Sequence, residues 1–122
     1  MFTKTIKYED FNGEMQSESF MFHLSEPDLM RLDAEFVGGI DGVLKAYEAN
    51  PKNTKDVMRL FEEAILRAYG VKSPDGKQFV KTEDVYNAFR FSGAYPVLFK
   101  ELLTDTQNAQ DFINALVNGA RK

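Results

Sequence analysis

Thr-Lys-Asp-Val-Met-Arg-Leu-Phe-Glu-Glu-Ala-Ile-Leu-Arg-Ala-Tyr-Gly, residues 54–70, sets Val57, Leu60, Phe61, Ala64, Ile65 and Ala68 on one stripe at helical spacing. Lys55, Asp56, Arg59, Glu62, Glu63 and Arg67 fall outside that stripe, as expected for an amphipathic helix with one buried face. Asn53 or Thr54 supplies the N-cap and Gly70 is expected to supply the C-cap. A helix of this strength is the expected centre of the core.

Downstream, Ser73-Pro74-Asp75-Gly76 has turn composition and marks the tip of a small hairpin between Val71 and Val80. Thr82 then caps a helix carrying Val85, Tyr86 and Phe89. Another helix starts near Pro96 with Leu98, Phe99, Leu102 and Leu103, and Thr104 or Asp105 marks its boundary. A last one carries Ala109, Phe112, Ile113, Leu116 and Val117, with Gly119 expected to end it.

Upstream, Asn50-Pro51 stops a helix bearing Ile40, Val43, Leu44 and Tyr47. Before it, Ser25 followed by Glu26-Pro27-Asp28 reads as a capped start for Leu29, Leu32 and Phe36, ended by Gly38-Gly39. Residues 2–24 alternate with period two: Phe2, Ile6 and Tyr8 share one parity before Asn12-Gly13, and Phe20, Phe22 and Leu24 share one after it. A two-residue Asn12-Gly13 turn pairs Lys7 with Glu18 but sends the two apolar sets to opposite faces. A three-residue Phe11-Asn12-Gly13 loop with a bulge brings both sets to one face. Burying several aromatics outweighs one exposed ion pair of about 0.2–1 kcal/mol, so the one-sided register is expected.

The expected fold is α+β and mostly α-helical: an N-terminal β-hairpin over 1–24 and a helical body of about five or six short helices over 25–119, in one domain of 122 residues. With 43% hydrophobic, 13% aromatic and 28% charged residues, the chain is too apolar for a disordered one. Eleven Phe and five Tyr exceed what so small a core strictly needs, which points to rings at an interface. A net charge of −4 with scattered Lys and Arg argues against nucleic acid. The chain starts without an apolar leader and contains no run as long as a membrane span, so a cytoplasmic protein with no membrane partner is expected.

No catalytic, metal-binding or cofactor-binding residues are assigned. Zero Cys removes disulfides, thiolate catalysis and Cys-ligated zinc, and His23 has no second His to share a metal with. Glu62-Glu63 and Glu83-Asp84 are explained by a solvent face and a helix first turn rather than by acid–base catalysis. Gly38-Gly39-Ile40-Asp41-Gly42 follows a helix and lacks the Lys-Ser or Lys-Thr of a phosphate loop. Asp75-Gly76-Lys77 puts Lys77 and Phe79 where a calcium loop needs oxygen ligands. A non-enzymatic protein that works by binding other proteins is the reading left.

The segment Tyr69 to Lys81, followed by Ser92 to Tyr95, Leu102 to Asp105 and Phe112-Ile113-Asn114, resembles the tail assembly chaperones of long-tailed, siphovirus-type bacteriophages in their short form. Asp10-Phe11-Asn12-Gly13 and the Gly38-Gly39 pair fit the same resemblance. It implies a virion-assembly factor of the host cell cytoplasm, not expected in the mature virion, that binds the tape measure protein and aids assembly of tail tube protein around it. It also implies possible self-association and a longer form made by translational frameshifting. The alternative is a structural head-tail connector or neck adaptor of the virion. Partner contacts are expected from apolar surface on the hairpin, through Phe20 and Phe22, and on the following region, through Phe89, Phe91, Tyr95 and Phe99.

Overall fold

A computed structural model describes residues 1–121. The first 22 residues form two antiparallel strands, β1 (Phe2–Glu9) and β2 (Met15–Phe22). Phe2 lies opposite Phe22 and Lys7 opposite Ser17, which is the one-sided register. Asp10 and Glu14 close the three-residue loop, with Asp10 N donating to Glu14 O at 2.8 Å and Gly13 at φ +80°, the left-handed bulge position that glycine fills without strain. Asp10 also accepts from the backbone N–H groups of Asn12 and Glu14 and from the Gln16 amide. Those bonds hold its carboxyl below the usual range, the Gln16 amide contributing most.

Ile6, Tyr8, Phe20 and Phe22 are buried on the inner face of this ribbon, while Thr3, Thr5, Ser17 and Ser19 face outward. Register was therefore decided by which face could bury rings. Lys4 also points inward, and its ammonium is paired with Glu101 at 2.8 Å. An inward charge on the outermost strand discourages edge-to-edge pairing with another chain.

Three helices follow: α1 (Glu26–Ala34), α2 (Gly39–Ala49) and α3 (Lys55–Ala68). The capping box of α1 is reciprocal, Ser25 accepting from Asp28 N and Asp28 accepting from Ser25 N. α1 stops at Ala34, four residues before Gly38, and Asp33 accepts from Ile40 N at 2.8 Å to cap α2. Val57, Leu60, Phe61, Ala64, Ile65 and Ala68 of α3 are all at most 1% exposed, as its stripe required.

The end of α3 departs from expectation. Gly70 is no C-cap: α3 ends at Ala68 and the chain runs straight into β3 (Tyr69–Lys72), which pairs with β2 through Met21↔Gly70 and Phe22↔Tyr69. β3 turns at residues 73–78 into β4 (Phe79–Val80), with Val71 opposite Val80 as the turn composition predicts. One sheet of order β1-β2-β3-β4 results. Gly70 is needed there for room, since a Cβ would stand 2.7 Å from both Phe79 Cε2 and Val80 O. The backbone oxygen cannot step aside as a side chain can. Gly70→Ala is expected to lower stability by about 1–2 kcal/mol, read as a lower urea midpoint at unchanged slope.

α4 (Glu83–Arg90), α5 (Ala94–Thr104) and α6 (Thr106–Ala120) complete the chain, giving six helices among the described residues. Thr82 and Asp105 cap α4 and α6 by accepting from Val85 N and Gln107 N. Gly119 lies inside α6 rather than ending it, and the helix continues to Ala120. The aromatic rings meet between sheet and helices. Phe20 and Tyr69 lie 4.8 and 4.6 Å from Phe89 of α4, and Phe22 lies 5.6 Å from Phe112 of α6. The core runs without a break from Ile6 to Ala120.

Candidate partner-binding surface

The six aromatic residues expected to meet partners divide sharply. Phe22, Phe89 and Phe20 are 0%, 1% and 7% exposed, so their rings have no surface to offer a partner of the folded chain. Tyr95 and Phe99 are half-buried, their rings 4.9 Å apart, with Tyr95 edge-on to Phe89 at 5.5 Å. Burial and the neighbouring Tyr86 hydroxyl push the Tyr95 phenol above its ordinary value, so it stays neutral. Phe91 alone is open, 66% exposed, in the turn between α4 and α5 and beneath the Arg90 guanidinium at 5.4 Å. That turn is anchored on the hairpin: a Cβ at Gly93 would stand 2.6 Å from Glu9 O.

A groove between three helices was not legible as a unit in the sequence. α1, α2 and α6 enclose a groove of about 490 Å³, inside the size range of ligand clefts. Leu29, Ile40, Leu44 and Ile113 lie beneath it as core residues at most 9% exposed, Val117 is half-buried, and Met30, 71% exposed, stands on its lip. Glu26, Asp33 and Asp41 line it with one guanidinium, that of Arg121. The three carboxylates have no ion-pair partner among the described residues. The one local signal was Met30, an apolar residue off the Leu29-Leu32 stripe.

Several other polar groups hold turns and joints. Tyr8 donates to the Glu18 carboxylate, which pushes the phenol up to about 12. Asp75 accepts from the Ser73 hydroxyl and Lys77 N, and its carboxyl is lowered by them, the hydroxyl first. Lys81 donates to Arg67 O at 2.6 Å, His23 O at 2.7 Å and Asp28 Oδ2 at 3.3 Å, joining α3, the end of β2 and α1. Among the described residues, no three His, Asp or Glu side chains gather where they could hold a metal ion, and no helix is long and apolar enough to cross a membrane.

His23 packs edge-on against Phe79 with ring centroids 6.1 Å apart, and its Nδ1 is buried without a partner among the described residues. Burial first, then the charges of the chain's amino terminus and Lys81, lower its pKa, against an opposing pull from Asp28. The sign follows: the unfolded chain takes up the proton first, so this part of the stability is intact above about 6.5, the unfolded value. It is lost as pH falls from there toward the folded value. His23→Phe removes the orphaned nitrogen and is expected to be neutral or stabilising by about 1 kcal/mol. It should also flatten the loss of stability below about pH 6.5, followed by urea midpoints across the pH series.

A family model described as phage tail assembly chaperone matches residues 1–118. No curated protein and no solved structure matches the chain.

Proposed function

The chain belongs to the phage tail assembly chaperone family, and from that premise we propose that it binds the tape measure protein and helps tail tube subunits assemble around it. The family match across nearly the whole chain carries this reading. The physical task suits the molecule. A long apolar assembly core must be kept from aggregating until a tube covers it, and the partner that does so needs open apolar surface together with charge for solubility. Phe91, Met30 and Phe11 are 66%, 71% and 88% exposed on a chain of net charge −4. The work is binding rather than bond chemistry. It takes place in the host cytoplasm, and the protein leaves before the particle is finished.

The test is co-expression of the tape measure protein with and without this chain. The expected result is that the tape measure protein is soluble and co-purifies only when the chain is present. Equal solubility in both cultures overturns the reading. Mass spectrometry of purified virions should find no stoichiometric copies of this chain, whereas a fixed number per particle would make it a structural connector instead.

A further inference from the structure

We infer that Asn12 is a site of spontaneous deamidation whose rate is gated by closure of the hairpin loop. The sequence holds Asn-Gly twice, at Asn12-Gly13 and at Asn118-Gly119. In such a pair the glycine nitrogen attacks the asparagine side chain with no side chain of its own residue in the way. The Gly13 nitrogen gives up its proton to hydroxide and bonds to Asn12 Cγ. The Cγ–Nδ2 bond breaks, and its nitrogen leaves as ammonia with a proton taken from water. A five-membered imide is left. Water then adds across one of the two imide C–N bonds: opening at Cγ yields aspartate on an unchanged main chain, and opening at the backbone carbonyl sends the main chain through Cγ as isoaspartate. One water is consumed and one ammonia released, which takes up the proton of the new acid, with no change of oxidation state.

The loop leaves the site open to water but holds the nucleophile. Asn12 and Gly13 are both exposed. Gly13 N donates to Asp10 O at 3.0 Å, and Asp10 Oδ1 accepts from the N–H groups of Asn12 and Glu14, each at 2.9 Å. Attack on Cγ requires the first of these bonds to break and the Asn12–Gly13 peptide to turn. The nitrogen also reacts as an anion, and the Glu9 carboxylate, 3.8 Å from where a Gly13 Cβ would stand, opposes that charge. Reaction therefore waits on local opening of the loop. Asn118-Gly119 lies inside α6 and depends on a different element. The isoaspartyl product cannot close in the same register, because it adds a main-chain carbon to a loop whose three-residue count sets that register. Either product also adds a carboxylate to a segment that already carries Glu9, Asp10 and Glu14. Deamidation thus marks chains whose hairpin has stayed open.

The test incubates the intact chain at mildly alkaline pH, in buffer and in guanidinium chloride above its unfolding midpoint. Amide loss at each Asn-Gly is followed by peptide mass spectrometry, and isoaspartate by enzymatic methyl transfer. Asn12 is expected to react at least about tenfold more slowly in the folded chain than in the unfolded one. Asp10→Ala removes the acceptor that serves Asn12 N and Glu14 N. In buffer it should recover most of that gap at Asn12 while Asn118 keeps its wild-type rate. If Asp10→Ala unfolds the chain, both sites accelerate together, and a denaturant series on wild type decides: Asn12 should speed up well below the global midpoint. Equal rates at Asn12 in folded and unfolded chains, an Asn12 rate that Asp10→Ala leaves unchanged in a folded chain, or acceleration only at the global midpoint each overturn the gate. No conversion at Asn12 in the unfolded chain overturns the site. Isoaspartyl chains, once separated, should unfold at a lower denaturant midpoint, and an unchanged midpoint overturns the marking role.

Discussion

Phe22→Ala is expected to lower stability by about 3–5 kcal/mol, a large share of the roughly 5–15 kcal/mol that holds a small domain folded. The ring is fully buried, and the rings of Phe2, Tyr69, Phe89 and Phe112 lie 5.6–6.1 Å from it, so its removal leaves a void bordered by β1, β3, α4 and α6. Elements from both ends of the chain would have to move together to fill that void, and close packing resists this. Aromatic pairs add about 0.5–1.5 kcal/mol beyond area burial, which places the change toward the upper end. Urea unfolding followed by circular dichroism should show a much lower midpoint at unchanged slope. Phe91→Ala is the internal comparison: the ring is 66% exposed and should change stability by no more than about 0.5 kcal/mol. A small effect at Phe22 would mean that the sheet does not pack on α4 and α6 as described.

Lys81→Met is expected to cost about 3 kcal/mol. The methionine keeps the apolar stem but strands the carbonyls of Arg67 and His23, which the ammonium now serves, and leaves the Asp28 carboxylate only Ser25 N and Arg31 as partners. One quarter of the Lys81 side chain is exposed, so water relieves part of the loss and the figure stays below the full sum for three charge-assisted bonds. The variant has a pH signature. Burial pushes the Asp28 carboxyl up, but the Ser25 hydroxyl and Lys81 outweigh it and leave the folded pKa below its ordinary value. A lowered carboxylate stabilises the fold above the unfolded value of about 3.9, and that contribution is lost as pH falls through the folded value. Without Lys81 the shift shrinks, so the acid-side loss below about pH 4 should be shallower in Lys81→Met than in wild type. A parallel decline in both proteins would show that Lys81 does not hold Asp28.

What could be read without the structure was local. The N-cap at Ser25, the stripe from Val57 to Ala68 and the Phe11-Asn12-Gly13 loop depend on neighbours within a few residues, and each is where the sequence put it. Gly70 follows a helix pattern, which favours a cap, whereas its role comes from the Phe79 ring and Val80 carbonyl nine and ten residues later. A stop at Gly119 is the local expectation, but nothing at that position forces the helix to end. Composition alone points the aromatic surplus to an interface. Most of those rings instead fill the space between a four-stranded sheet and its helices, a space that appears only when β2 pairs with β3. The α1–α2–α6 groove escaped for a similar reason: each of its walls looks like an ordinary core stripe until three helices cross.

The pairing of β2 with β3, and the covering of Phe22 by Phe112, bear on how the protein comes off the ribosome. An isolated two-stranded ribbon is at best marginally stable in water. Ile6, Tyr8, Phe20 and Phe22 emerge first, yet their cover arrives only with β3, α4 and α6. At about 5–20 residues per second, that interval is on the order of 5–20 s. During it the nascent chain itself carries uncovered apolar surface, and its fold closes only when nearly all of it has been made.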